Sequence, residues 1–124
     1  MGRYVDGFVV PVPRKRLAEY RRLATKCGKV WLEHGALEYV ECVGDGLKKG
    51  KVTSFPRSVK LKPGEVVVFA WIVYKSRAHR DKVMAKVLKD PRLADMTDPS
   101  GMPFDAMRMF WGGFKPLVTM RQGS

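Results

Sequence analysis

The chain has 124 residues, which suits one domain with a modest core. Its 45% apolar content excludes an intrinsically disordered chain. Its 24 Lys and Arg against 12 Asp and Glu leave a net charge of +12 and a pI near 10.1, a balance that attracts polyanions such as RNA, DNA or an acidic substrate.

Residues 3–12 (RYVDGFVVPV) read as a first strand, with Tyr4, Asp6, Phe8 and Val10 on one face and Val5, Gly7 and Val9 on the other. Pro11 and Pro13 are expected to end it, because proline cannot donate to a ladder. Residues 14–34 read as a helix. Leu17, Tyr20, Leu23, Ala24, Cys27, Val30, Trp31 and His34 recur at three- and four-residue steps along one stripe. Gly28 weakens the helix but lets it approach a sheet closely, and Gly35 suits a C-terminal cap. Arg14, Lys15 and Arg16 oppose the helix dipole, and nothing local accounts for them. Residues 36–43 (ALEYVECV) form a second strand whose alternation puts Glu38 on one face and Glu41 on the other.

A long basic connection follows, about residues 44–64, with Phe55-Pro56 as an apolar anchor and Val52-Thr53 and Val59 to Leu61 as candidates for a short hairpin. Val66 to Tyr74 (VVVFAWIVY) is nine residues without a polar break. The run is too short to span a membrane and too β-branched to favour a helix, so it reads as a strand covered on both faces. Ser76 caps a helix over about 77–89. Residues 90–107 read as a loop pinned by Leu93, Met96, Met102 and Phe104. Residues 108–119 read as a last strand in which Gly112-Gly113 marks a bulge or a close backbone approach.

The order strand, helix, strand, strand, helix, strand makes one α+β domain over residues 1–124. The expected fold is ferredoxin-like βαββαβ: a four-stranded antiparallel sheet with two helices on one face. Val68, Ala70 and Ile72 are small enough to face the helices, which leaves Phe69 and Trp71 outward. No element remains to cover that outer face, so a second copy is expected to cover it, giving a homodimer by face-to-face sheet packing.

Cys27 and Cys42 show neither a paired-thiol nor a zinc spacing and read as buried reduced thiols in a cytoplasmic protein. No signal peptide or acylation motif opens the chain, and no membrane partner is expected. No motif calls for a cofactor. Two distant histidines give no metal-ligand spacing.

The string VVVFAWIVYKSRAHRD, with GALEYVECV and SFP upstream and MPFD and RMFWGGF downstream, closely resembles the YbaA-type bacterial family, domain of unknown function 1428. The resemblance runs from about Tyr4 to Val118. It implies membership of the dimeric α/β-barrel superfamily, whose protomer sheets join as a barrel and whose pocket usually lies between helices and sheet. It supplies no reaction. Other families on that fold include cofactor-free monooxygenases and isomerases, stress-induced barrels and ligand-binding modules.

Two residues stand out as candidate catalysts. His34 ends the first helix, and Glu38 or Glu41 on the next strand, Glu38 first, would make with it a His–carboxylate pair for proton transfer, against a plain capping role for the histidine. Trp31, Glu41, His79, Arg80, Arg108 and Trp111 are candidate ligand-binding residues. The structural alternatives are a capping His79, salt bridges for Arg80 and Arg108 with the strand carboxylates, and a core or interface role for Trp111. Three functions follow: a small organic ligand bound in the helix–sheet pocket, with oxygenase- or isomerase-like chemistry as its catalytic form; RNA or polyanion binding through the Lys48–Lys62 loop; and a stress-related interaction barrel without catalysis.

Overall fold

The structure, a computed structural model, describes residues 3–93 and 101–123. Its elements are β1 (Tyr4–Pro13), α1 (Leu17–Glu33), β2 (Glu38–Val43), α2 (Phe55–Ser58), β3 (Glu65–Tyr74), α3 (Arg77–Leu88) and β4 (Phe110–Phe114), with a 3-10 turn over Arg14–Arg16 leading into α1. The four strands form one antiparallel sheet in the order β2-β3-β1-β4.

The central pairing joins β1 to β3 over ten residues, from Tyr4 opposite Tyr74 to Pro13 opposite Glu65. Contrary to expectation, β1 continues through its prolines. β4 pairs with β1 only over Val5–Val9, so Pro11 has a ladder on one side alone, where a missing N–H is tolerated.

One sheet face carries Val66, Val68, Ala70, Ile72 and Tyr74, all buried, beside Tyr4, Asp6, Val10 and Val12 of β1. The small residues of β3 do face the helices: Ile72 and Tyr74 pack with Val30 of α1 and with Val83 and Val87 of α3. Gly28 is buried where α1 meets β2, and a Cβ there would stand 3.0 Å from the Tyr39 ring. Gly35, at φ 117°, closes α1 as a glycine with left-handed backbone. The basic residues at 14–16 precede the α-helix rather than fill its first turn. Arg16 pairs with Glu19 and donates to the Met102 carbonyl.

The connection between β2 and β3 contains α2 instead of a hairpin. Ser54 accepts from the Arg57 N–H and Pro56 sits in the first turn, a local start signal that outweighs the alternation around it. The connection also folds back over the outer sheet face, where Val59 is fully buried with Val9 and Val67. That end of the face is therefore covered by the chain itself, contrary to expectation. The remainder is open: Phe69, Phe110 and Phe114 are 42%, 47% and 64% exposed. Cys27 is buried, but Cys42, on this outer face opposite Phe69, is exposed.

Leu93, Met102 and Phe104 pack onto the body as expected, while Met96 lies outside the described residues. β4 is shorter than the sequence suggests, and its register is unbroken, so Gly112-Gly113 forms no bulge. Gly113 is instead a close approach: a Cβ there would fall 2.1 Å from the Tyr4 hydroxyl. Gly113→Ala is expected to destabilise by about 1–3 kcal/mol, because buried Tyr4 must move. Gly112→Ala, whose Cβ meets only Phe114 at 3.8 Å, should stay within about 0.5 kcal/mol. Paired denaturant titrations read both.

Candidate functional site

The parity of β2 decides what enters the space between α1 and the sheet. Glu41 pairs with Ala70, on the helix side; Glu38 pairs with Val73, on the outer side. A cavity of about 200 Å³ lies between α1 and the sheet, walled by Phe8, Trp31, Tyr39, Ile72, Phe104 and Met109. Tyr20, Ala24, Tyr39 and Glu41 also line a wider groove of about 580 Å³ between α1 and the β2 edge. Glu41 therefore stands where the groove meets the cavity.

Two phenols hold its carboxylate. Tyr20, from the α1 stripe, donates to Oε1, and Tyr39, two residues back on the same strand face, donates to Oε2 at 2.7 Å. Burial, and then the Glu41 charge, push both phenols far above the ordinary tyrosine range, so both remain protonated donors. Burial, followed by the same charge, pushes the Cys27 thiol up to about 11. A thiol so raised is a poor nucleophile at neutral pH. The Trp31 indole lies against Tyr39 and spends its N–H on the Tyr74 hydroxyl at 3.1 Å.

Trp31 and Glu41 are thus brought together in one cavity, and the other candidates are elsewhere. The His34 Nε2 lies 2.8 Å from Asp90, whose carboxylate also takes two bonds from the Arg92 guanidinium and one from its backbone N–H. Glu38 accepts from the Trp71 indole at 2.9 Å on the outer face. The expected His34–Glu38 pair is therefore not assembled, because the strand's alternation sends Glu38 away from the helices. His79 takes the capping role: its Nδ1 accepts from the Lys75 N–H while its own N–H is bonded to Ser76.

Arg80 is a partly buried counter-ion, 2.8 Å from Asp6 and 5.0 Å over the Tyr4 ring. Asp6 is 1% exposed, and burial raises its pKa despite the arginine. Arg108 clamps the fold, with two bonds to Glu65, one to Asp105 and others to the carbonyls of Val59 and Lys60. Trp111 stacks on Phe8 at 5.9 Å but stays half-exposed on the edge strand. Among the described residues, no three His, Cys, Asp or Glu side chains gather as a metal-ligand set, and no helix is long and apolar enough to cross a membrane.

With this geometry established, comparison with known proteins identifies the family. Residues 3–106 match the family model described as a protein of unknown function, DUF1428. The chain belongs to that family. It is 43% identical over 116 residues to the uncharacterized protein YbaA of Escherichia coli strain K12, covering 94% of this chain and 97% of that one. The same figures hold for YbaA of Shigella flexneri. Among solved structures, the de novo designed protein Foldit4 aligns with a TM-score of 0.43 at 15% identity, over 96% of this chain and 99% of that one. The matched residues include α1, β2 and the Glu41 site with its two phenols, and end before Met109 and β4.

Tyr20 and Tyr39 are the functional candidates that the sequence pattern did not single out. The available signal was the i, i+2 spacing of Tyr39 and Glu41, with Tyr20 on the inward stripe of α1. Arg108 supplies a test of the surrounding frame. Its hydrogen bonds hold Glu65 and Asp105 below their ordinary values. Each carboxylate binds its proton less readily folded than unfolded, so this stabilisation is complete above about pH 5 and is lost as pH falls through the folded-state values. Arg108→Ala is expected to lower the melting temperature at pH 7 and to flatten its decline between about pH 5 and pH 2. Circular dichroism melts across that range decide it; an unchanged acid limb would contradict the clamp.

Proposed function

We propose that this protein is a small-molecule binding barrel: a homodimer of ferredoxin-like protomers, each holding a small organic ligand between α1 and the sheet. The observation that carries the ligand reading is the Glu41 carboxylate, fixed by two phenols at the mouth of an aromatic cavity. Apolar walls with a few placed polar groups are the usual make-up of a ligand site. A packed core gains nothing from a carboxylate there, because removing it from water costs energy that two phenol bonds only partly offset. The general acid–base reading through His34 and Glu38 loses its support, since their side chains bond Asp90 and Trp71 on different sides of the sheet.

The dimer reading rests on the outer face. Phe69 of β3 and Phe110 and Phe114 of β4, with β1 between them, stay exposed on one surface, although Phe55 of the β2–β3 connection meets the Phe69 ring edge to face. An apolar patch of this kind on a sheet is the mark of an interface. Exposed aromatics on a sheet, in a chain that also exposes Lys48, Lys49 and Lys51 on its β2–β3 connection, are also what a nucleic-acid platform would present, so assembly must be measured first.

Thermal-shift screening of the purified protein against a metabolite library should find stabilising small molecules whose effect is lost in Ala24→Leu, which fills the space beside Glu41. A library without hits, together with an Ala24→Leu variant more stable than the parent, would mark the cavity as a packing defect. Sedimentation should return twice the 14.1 kDa chain mass, falling to one chain in Phe69→Glu/Phe110→Glu. A wild-type monomer that binds single-stranded RNA with strong salt dependence would replace the dimer with the nucleic-acid reading.

A further inference from the structure

The cavity of the proposed binding site is lined with hydrogen-bond acceptors whose donors are already spent. We infer that its ligand is a small primary or alkylated amine, bound as the ammonium ion. The inference rests on the reading that this cavity holds a ligand, and it names the chemical class.

The accounting is by atom. A carboxylate offers about four acceptor positions. Tyr20 and Tyr39 occupy one on each oxygen of Glu41, leaving capacity on both. Each phenol has committed its single proton to Glu41, so its oxygen also presents only lone pairs to the cavity. The Trp31 N–H is bonded to Tyr74. Cys27 has its own interaction, and its thiol is held protonated. A ligand group entering here must therefore bring donors. An acid or a phosphate would meet lone pairs and a negative charge, and would leave both unsatisfied.

Charge points the same way. None of the ion pairs among the described residues includes Glu41, whereas Asp6, Glu65 and Asp90 each have an arginine. A carboxylate among apolar walls favours a cation beside it. The walls themselves favour one too. Tyr39, Tyr20, Trp31, Phe8 and Phe104 put five aromatic rings around this space, and aromatic faces attract ammonium groups. The chain's overall +12 charge acts against a cation at long range. Exposed charges such as Arg21 at the groove are screened within about 8–10 Å at physiological salt, whereas contact with Glu41 is not. The local carboxylate therefore dominates once the ligand is inside.

Three isosteric probes test the class: n-butylammonium, butan-1-ol and butyrate, titrated into the wild-type protein at pH 7 and followed by Trp fluorescence and ligand-observed NMR. The expected order is butylammonium tighter than butanol by about tenfold, with butyrate undetected. Raising salt should weaken butylammonium and leave butanol unchanged, a measurement that needs no variant. Glu41→Gln, if folded, should reduce butylammonium to the butanol level. Butanol or butyrate binding as tightly as the amine, or amine binding indifferent to both salt and Glu41→Gln, would overturn the amine inference while leaving the cavity as a binding site. Failure of all three probes to bind would overturn the site itself, and the amine inference with it.

Discussion

Everything in this protein hangs on the ten-residue pairing of β1 with β3. It runs down the middle of the sheet, and its register fixes which side chain of every strand faces the helices. Because strand side chains alternate strictly, a slip of one residue would turn Val66, Val68, Ala70 and Ile72 outward and carry Asp6 away from Arg80. The register is overdetermined. Small β-branched residues admit α1 and α3 on one side, and Val67 meets Val9 and Val59 on the other. The neighbouring strands inherit it: β2 must put Glu41 inward and Glu38 outward, and β4 must place Gly113 against Tyr4.

Within that frame the sheet carries four acids; Glu65 is clamped by Arg108, and the other three are each satisfied differently. Asp6, almost wholly buried, takes a guanidinium from α3. Glu38, on the outer face, takes one indole N–H and remains exposed. Glu41 takes two phenols and no cation among the described residues. The first arrangement is a buried ion pair, whose main effect is to penalise any state that separates it. The second is a surface hydrogen bond. The third satisfies geometry without neutralising charge, which is unusual for a carboxylate that a fold has turned toward its own interior.

Much of this was legible in the sequence, and the parts that were not share a cause. Both faces of Val66 to Tyr74 are apolar, so its burial could be read directly, and the Ser76 and Gly35 caps follow from local chemistry. Glu38 and Glu41 differ by three positions, so the sequence does require them to face opposite ways. Which of them points inward depends on pairing with β3, a long-range fact. The partners of His34 and Arg108 are also remote: Asp90 lies 56 positions from His34, and Glu65 lies 43 from Arg108. The partial cover of the outer face is long-range too: residues 44–64 read as a functional or disordered loop or a short hairpin. Their alternating apolar residues hid a capped turn of helix that brings Val59 onto the sheet.

The position of Gly28 ties the helix layer to the cavity. A glycine in a helix interior costs about 1 kcal/mol relative to alanine, so its presence calls for a compensating contact. That contact is Tyr39, whose ring lies where any larger residue's Cβ would press. With the ring in that place, its hydroxyl reaches Glu41 and its face meets Trp31. A residue larger than glycine would force the ring to give way and would disturb the carboxylate it orients. The weak point of α1 is therefore a structural condition for the site: close approach of helix to strand positions the phenol, and the phenol positions the charge.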